Sequence, residues 1–236
     1  MTSPSLSVVL PAYNEKENIE RAVKDASAAV APLVDNYEIV AVDDGSEDET
    51  GAILNRLERE MNSCLRVVHH PRNIGYGAAL RNGFNAALGQ LIFYTDSDNQ
   101  FDLTELRSFL PLMKDWDAVL GYRKDRQDHF LRRSISYCYN LFACTAFGMS
   151  VRDLNCSFKL FRREVLESIT IESDNFFVDT ELVARLHRAG WRYTQKGVLH
   201  YPRTGGRTTV RFSDVPRTFL ALARMRLRIG RTSPEK

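Results

Sequence analysis

The sequence lacks several features that would decide its class at once. It contains only four cysteines, with neither C-x-x-C spacing nor a histidine pattern around them: Cys64, Cys138, Cys144 and Cys156. This excludes a recognisable zinc site or disulfide framework and indicates reduced, buried thiols in a cytosolic protein. No apolar run reaches the roughly 18 to 20 residues of a membrane-spanning helix. The N-terminus has no signal-peptide pattern. We therefore expect neither a membrane-spanning helix nor a signal peptide.

The chain also has little net charge, no internal repeat and no low-complexity tract. Its 236 residues are 44% apolar and 26% charged, which is ordinary for a globular protein with a core. The net charge of +2 is uneven, because the residues from Arg203 onward carry +7 and the first 202 carry −5. The basic segment favours an anionic partner such as phosphate groups or a lipid surface. We expect no nucleic-acid partner, because the remainder is acidic and contains no recognisable nucleic-acid module.

Short apolar runs alternate with amphipathic stretches through the first 123 residues. Strands are predicted near residues 5–13, 37–45, 64–70, 91–96 and 117–123, with helices between them. Two polar pairs have capping-box spacing and predict the starts of the first two helices: Asn14 with Glu17, and Ser46 with Glu49. This alternation predicts an α/β protein with a mostly parallel central sheet and helices on both faces.

After Arg123 the alternation of strands and helices changes. An aromatic helix is predicted over 129–149, a strand entering a helix over 156–166, a helix over 180–190 and a late strand over 191–200. No linker rich in proline, glycine or serine separates the two halves. We therefore predict one domain over residues 1–212, followed by a basic amphipathic C-terminal helix and tail over 213–236.

Polar residues follow four of the predicted strands. In open parallel sheets, ligands bind beyond the carboxyl ends of the strands. We therefore expect a site at this edge, formed by four segments: Pro11-Ala12-Tyr13-Asn14-Glu15, Asp43-Asp44-Gly45-Ser46, Asn73-Ile74-Gly75-Tyr76-Gly77 and Asp96-Ser97-Asp98-Asn99-Gln100. The glycines of the third segment could let backbone approach phosphate, or could serve a tight turn into a helix.

Asp96 and Asp98 are one residue apart at the end of an apolar strand. In an extended segment they lie on the same side, with Gln100 able to follow. Such carboxylates repel each other unless a positive charge lies between them. Two carboxylates and an amide oxygen suit Mg²⁺ or Mn²⁺ rather than zinc, with phosphate oxygens completing the shell. The alternative is that the two aspartates cap the following helix or lie in a polar turn.

Four stretches together resemble family 2 glycosyltransferases of the GT-A (Rossmann-like) fold: SVVLPAYNEKENI, AVDDGSEDET, RNIGYGAALRNGF and TDSDNQFD. The likeness extends over about residues 6–212 and is greatest to transferases that act on polyprenyl or dolichyl phosphate. It implies a nucleotide-diphosphate sugar donor. On the donor side it implies Pro11, Tyr13, Glu15, Asp43, Asp44 and Arg81. For the metal on the donor diphosphate it implies Asp96, Asp98 and Gln100.

The second half of the chain is similar to the same family. The resemblance puts Asp153 in an acceptor-side segment, and Asp179 or Glu181 on a helix whose acid faces the reaction centre. It also implies a loop whose basic residues reach phosphates, with Arg203 and Arg207 on it. Arg123 and Arg133 supply further positive charge and are candidates for phosphate binding as well. The catalytic candidates are therefore Asp98, Asp153, Asp179 and Arg203.

The acceptor decides whether the reaction needs a base. A lipid phosphate is already anionic at neutral pH, so the acids would only orient groups, whereas a hydroxyl acceptor would make Asp179 an essential base. The many arginines, Arg132 among them, favour a phosphate acceptor.

We predict hexosyl transfer to a polyprenyl phosphate on the cytoplasmic membrane face, with peripheral contact through residues 130–149 or 215–231. The alternatives are an inverting transferase to a saccharide or small-molecule hydroxyl, a non-catalytic nucleotide-sugar module, and, for 215–231, a helix packed on its own domain or on a second subunit.

Overall fold

The computed structural model describes residues 5–124 and 130–202, together with Leu222, Met225 and Arg226; the side chains of residues 62 and 130–133 are outside this description. Seven strands form one sheet in the order β3-β2-β1-β4-β6-β5-β7. The strands are β1 (Leu6–Ala12), β2 (Tyr37–Asp43), β3 (Leu65–His69), β4 (Leu91–Thr95), β5 (Ala118–Lys124), β6 (Phe158–Arg162) and β7 (Tyr193–Leu199).

The sheet is mostly parallel, with one strand reversed. β1 pairs in parallel with β2 and β4, β2 with β3, and β5 with β7, while β6 runs antiparallel to both β4 and β5. The carboxyl ends of β1 to β4 therefore meet at one edge. Because β6 is reversed, its first residue, Phe158, lies opposite Thr95, the last residue of β4. The segment that precedes β6 is thus brought to the same edge.

Helices cover both faces of the sheet. Residues alternate along each strand, so Val8 and Leu10 of β1 pack on one face and Val9 packs on the other. The first face is covered by α1 (Ile19–Val30), α2 (Thr50–Met61) and two 3₁₀ helices (Leu103–Ser108 and Leu110–Lys114). The second is covered by α3 (Tyr76–Ala86), α4 (Phe130–Phe147), α5 (Arg163–Glu167) and α6 (Val178–Arg188). The predicted α/β architecture is confirmed.

Three local predictions were wrong. The helix predicted between the strands near 91–96 and 117–123 is divided into two 3₁₀ helices, and Pro111 stands at the start of the second, where it has no N–H to donate. The first helix begins after Asn18 rather than after Asn14, whose backbone has a φ of 54°. The second begins at Thr50, where the side chain of Asp48 accepts from the Thr50 amide.

Part of the C-terminal segment packs on the domain. Leu222 and Met225 are helical and buried within the core cluster on the α3 side of the sheet, while Arg226 is exposed. At these positions the apolar side chains are covered by protein, as the alternative of a helix packed on its own domain expects. The domain boundary at residue 212 stays a prediction. No helix within the described residues combines the length and apolarity needed to cross a bilayer.

Candidate active site

The loops after β1 and β2 are held together by hydrogen bonds. The Asn14 amide donates to the Ser46 hydroxyl at 3.0 Å, and the Glu47 amide donates to the Asn14 side chain at 2.8 Å. The Glu15 amide donates to Thr50 Oγ1 at 2.8 Å. The polar residues that resembled helix caps therefore join two loops. This places Tyr13 and Glu15, both half-buried, beside the end of β2.

The end of β1 is also tied to the loop after β4. The buried Ser97 hydroxyl donates to the carbonyl of Pro11 at 2.8 Å. Glu15 Oε2 accepts from the Asn18 side chain at 2.7 Å. Pro11 at the end of β1, and Tyr13 and Glu15 on the loop after it, are three of the residues implied on the donor side. Neighbouring strand ends fix this segment from both sides.

Asp43 and Asp44 are buried, and each contacts a histidine at the end of β3. The Asp43 carboxylate accepts from the Ser46 amide at 3.0 Å and lies 2.9 Å from His69 Nδ1. Asp44 lies 2.7 Å from His70 Nδ1, and its two oxygens accept from the amides of residues 74 and 75 at 3.0 and 2.9 Å. Asp44 therefore fixes the loop before α3 from inside, and its predicted contact with the donor stays a prediction.

The glycines before α3 allow another segment to approach. An added Cβ would lie 2.0 Å from the Asp174 carbonyl oxygen at Gly75 and 2.1 Å from the Ser173 carbonyl oxygen at Gly77. The Gly77 amide donates to Asp174 O at 3.0 Å. Arg81 donates to Asp174 Oδ1 at 2.8 Å. The first turn of α3 is thus occupied by protein, and Arg81 has a structural partner there; its predicted donor contact stays a prediction.

Substituting Gly77 by alanine is expected to destabilise the protein by about 3 kcal/mol, because the new methyl group would overlap backbone that cannot move aside easily. Gly190→Ala is the matched control. It has open space around the added Cβ but a φ of +81°, so it should cost only about 1 kcal/mol. Urea unfolding of both variants measures the difference. Equal losses would show that residues 173–174 yield to the methyl group.

Asp96 lies at the end of β4 and accepts two hydroxyl hydrogen bonds. Tyr76 donates to Oδ1 at 2.8 Å and Ser157 donates to Oδ2 at 2.5 Å. Burial raises the pKa of Asp96, while these two hydrogen bonds and Lys159 oppose the rise. Burial also raises the pKa of the Tyr76 hydroxyl well above its ordinary value, so it remains a donor. Asp96 is thus anchored within the protein.

Asp98 and Gln100 lie beyond Asp96 and are half-buried. The Gln100 amide donates to Asp98 Oδ1 at 3.3 Å. The Gln100 side-chain nitrogen donates to the Tyr201 carbonyl at 2.9 Å, and the Tyr201 amide donates to the Gln100 carbonyl at 2.8 Å. Gln100 therefore connects the end of β4 to the residues that lead into the predicted phosphate-binding loop.

The donor set of this edge suits a hard cation that shares its shell with substrate. Within the described residues, no group of three or more histidine, cysteine, aspartate or glutamate side chains could hold a metal ion by itself. Mg²⁺ typically takes one or two carboxylates and fills its shell with phosphate oxygens and water. Both oxygens of Asp96 accept hydroxyls and Asp98 Oδ1 accepts an amide, but carboxylate oxygens have further lone pairs that a cation can use. Asp96, Asp98 and Gln100 therefore fit Mg²⁺ or Mn²⁺ as a partial ligand set that substrate phosphate and water would complete.

A buried ion pair lies beneath the strand ends. Lys159 of β6 is fully buried, and its Nζ donates to Asp179 Oδ1 at 2.5 Å, to Cys156 O at 2.6 Å and to the Tyr94 hydroxyl at 2.8 Å. The Tyr94 hydroxyl in turn donates to Asp179 Oδ1. Asp179 is only 4% exposed. Sequence reasoning missed Lys159, although a single lysine in the apolar run SFKLF was the signal.

The structure distinguishes Asp179 from Glu181. Glu181 accepts from the amides of Glu172 and Ser173 and from Arg185 Nε at 2.7 Å, so it fixes the loop before α6. Asp179 instead joins the cluster beneath Asp96, and its charge contributes to the raised pKa of that carboxyl group. Of the two candidates, Asp179 lies beneath the predicted metal edge.

Asp153 and Arg123 contact each other in a bidentate ion pair, with nitrogen–oxygen distances of 2.7 and 2.8 Å. Both side chains are about nine-tenths buried, at 11% and 10% exposure for Arg123 and Asp153. Their predicted roles at the acceptor and at phosphate stay predictions. Arg203, Arg207 and the side chain of Arg133 lie outside the described residues.

Comparison with known proteins identifies the family to which the chain belongs. Residues 7–170 match the family model described as "Glycosyl transferase family 2". The chain belongs to this family, as its sequence motifs predicted.

Three named proteins illustrate what the chain is similar to in sequence. The chain is 34% identical to "Glycosyltransferase AglD" of Haloferax volcanii over 94% of this chain and 36% of that protein. It is 33% identical to "Undecaprenyl-phosphate 4-deoxy-4-formamido-L-arabinose transferase" of Serratia proteamaculans over 70% of this chain and 51% of that protein. It is 29% identical to "Dodecaprenyl-phosphate galacturonate synthase" of Rhizobium johnstonii over 93% and 66%. The chain therefore spans about one third to two thirds of the length of these relatives.

Solved structures confirm the fold. Glucosyl-3-phosphoglycerate synthase from Mycobacterium tuberculosis, in complex with Mn²⁺, UDP and glucosyl-3-phosphoglycerate, superposes with a TM-score of 0.70 over 94% of this chain and 80% of that one, at 21% identity. The same enzyme with Mg²⁺ and UDP also gives 0.70, at 23% identity. At this level of identity the likeness establishes the architecture alone.

Proposed function

We propose that the protein transfers a hexose from a nucleotide-diphosphate sugar to a polyprenyl phosphate, with Mg²⁺ or Mn²⁺. The observation that carries the choice of acceptor is the burial of Asp179. A hydroxyl acceptor needs a base within reach of its proton. Asp179 is instead 4% exposed and is held by the Lys159 ammonium and the Tyr94 hydroxyl. Two of the relatives are named for polyprenyl-phosphate substrates, which supports the same acceptor.

On the donor side, the chain supplies a fixed polar edge. Tyr13 and Glu15 would contact base and ribose from the loop that Ser46 and Thr50 hold in place. The Asp43 carboxylate, oriented by the Ser46 amide and His69, would accept a hydrogen bond from the nucleoside. Asp98, with Asp96 and Gln100, would hold the divalent cation, which when bound neutralises the charge that develops on the leaving diphosphate.

On the acceptor side, the protein needs only to bind and orient an anion. A phosphate monoester is already a nucleophile at neutral pH, so no residue has to remove a proton from it. Arg123 is held rigidly by Asp153 through two hydrogen bonds and lies on the strand next to β6. We propose that it contributes positive charge to the acceptor phosphate together with Arg133, Arg203 and Arg207. Rigid placement reduces the entropy that binding would otherwise cost.

The exposed side of α4 supports peripheral contact with a membrane. It carries three large apolar side chains, Tyr137, Leu141 and Phe142, which are 69%, 55% and 44% exposed. Helices that lie in the membrane interface present apolar side chains of this kind on one face. Since Leu222 and Met225 of the C-terminal segment are buried in the core, we propose α4 as the contact on the cytoplasmic membrane face.

The double substitution Tyr137→Ser with Leu141→Ser is expected to lower the fraction of protein that sediments with anionic phospholipid vesicles by about tenfold. Each replaced side chain would otherwise contribute roughly 1.5 to 3 kcal/mol of burial if fully inserted. Leu88→Ser is the control, because Leu88 is 40% exposed but precedes β4, at the opposite end of that strand from Asp96. Unchanged sedimentation of the double variant would exclude α4 as the contact.

The donor is tested by thermal unfolding with UDP, GDP and dTDP, each with Mn²⁺, Mg²⁺ or EDTA. One nucleotide is expected to raise the melting temperature, and only with the cation. A ligand at 100 times its dissociation constant stabilises the native state by about 2.7 kcal/mol. If none of the nucleotides raises the melting temperature, the proposal of a nucleotide-sugar donor fails.

A further inference from the structure

Lys159 carries the further inference, which rests on the proposed function. Lys159 lies on β6 and has no exposed surface. Its ammonium group lies between Tyr94 of β4 and Asp179 of α6. We propose that Lys159 is a positioning residue of the transfer reaction. Its ammonium group fixes the positions of the Asp179 and Tyr94 side chains beneath the end of β4. It thereby holds Asp96 in the geometry that the reaction requires.

All three hydrogens of the ammonium group are used. An ammonium has three donors and no acceptor, and Lys159 Nζ donates to Tyr94 Oη, Cys156 O and Asp179 Oδ1. The cation also lies 5.2 Å from the centroid of the Tyr94 ring. The three partners come from β4, from the segment before β6 and from α6. Because all three donors of its ammonium group form hydrogen bonds, Lys159 connects these three elements at one point.

This point is linked to Asp96 by the register of the sheet. Tyr94 and Lys159 are cross-strand partners in the antiparallel pairing of β4 with β6. Asp96, two residues after Tyr94, accepts from Ser157, two residues before Lys159, at 2.5 Å. Residues two apart on a strand face the same side. Tyr94 with Lys159 and Asp96 with Ser157 are thus two successive contacts on one face.

A purely stabilising role would not need these charges. Buried ion pairs can often be replaced by apolar residues of similar volume without loss of stability, whereas removing one partner leaves an uncompensated charge. The surroundings on this face are apolar, since Phe161, two residues further along β6, and Leu182 of α6 are fully buried in the core cluster there. Two properties therefore separate positioning from stabilisation: the stability of a variant that lacks both charges, and its turnover.

The test compares Lys159→Met, Asp179→Leu and the double variant in the full chain, using the donor and polyprenyl phosphate. Both single variants should melt well below the wild type. The double variant should recover most of the melting temperature and keep a donor KM within about threefold. Its kcat should remain at least about 100-fold low, because misplacing reacting groups by about 1 Å costs that much. Lys114→Met, at an exposed lysine, is the control and should match the wild type.

Two results would overturn the inference. If the double variant regains kcat together with its melting temperature, the pair only stabilises the fold. Tyr94→Phe, which keeps the ring and removes one hydroxyl, provides a second test should the double variant fail to fold. It should lower kcat about tenfold at unchanged donor KM, and an unchanged kcat overturns the inference. A wild-type protein without turnover refutes the proposed function instead, and with it the role of Lys159 in that reaction.

Discussion

Asp98→Asn is expected to remove the cation-dependent binding of the donor while leaving the fold intact. Asp98 is half-buried beyond the end of β4, and its Oδ1 accepts from the Gln100 amide at 3.3 Å. Asparagine retains the shape but loses the charge that a hard cation prefers. Turnover should fall at least about 100-fold, the usual cost of losing a principal electrostatic contact to the transition state. Kinetics and melting curves with Mn²⁺ and nucleotide measure both effects.

Asp102→Asn is the matched control for this experiment. Asp102 lies four residues further on, and its side chain accepts from the Thr104 amide at the start of a 3₁₀ helix. Asparagine caps helices as well as aspartate does, so stability and turnover should both remain unchanged. If Asp98→Asn kept a nucleotide-induced shift that EDTA abolishes, Asp98 would not be the principal cation ligand.

Arg123→Gln is expected to destabilise the protein by about 3 to 5 kcal/mol. It leaves the carboxylate of Asp153, whose side chain is 10% exposed, without its bidentate partner, and an uncompensated buried charge costs this much. Arg21→Gln is the control. The Arg21–Asp25 pair is solvated, with side chains 67% and 51% exposed, and its loss should cost less than about 0.5 kcal/mol. Urea unfolding compares the two, and similar small losses would contradict a structural ion pair at Arg123.

The alternation of strands and helices was enough to predict the parallel half of the sheet. Each of β1 to β4 ends within a few residues of a polar segment that the sequence marks clearly, because parallel strands bring such ends to one edge. The reversed strand β6 was not predicted as reversed. Its direction depends on tertiary pairing with β4 and β5, and apolar periodicity carries no information about direction.

The misassigned helix caps have a common physical cause. Asn14 and Ser46 have the residue types and spacing of caps, yet they bond to each other's loops across more than 30 positions of the chain. The spacing of residues along the chain indicates only which nearby amides a side chain could bond to. In the folded protein, Asn14 and Ser46 form their hydrogen bonds with a distant loop instead. At Gly75 and Gly77, too, a distant segment is the partner, because the close approach of residues 173–174 leaves no room for a side chain.

The choice between Asp179 and Glu181 also required the structure. The two acids lie two residues apart on α6, so they point in different directions around the helix. One meets Lys159 and the other meets Arg185. Because Asp179→Asn alone leaves Lys159 buried without its counter-charge, a loss of turnover in that variant would have a structural cause as well as a chemical one. The single substitution therefore cannot identify the acceptor.

The acceptor is identified directly by incubating the protein with a radiolabelled nucleotide sugar, Mn²⁺ and either polyprenyl phosphate or the corresponding polyprenol. The two lipids have the same chain and differ only in whether the nucleophile is already anionic. We expect label to enter the lipid fraction with polyprenyl phosphate, to be lost in EDTA, and to be absent with polyprenol. Transfer to polyprenol, or to an added saccharide at a similar rate, would contradict a site that works without an accessible base.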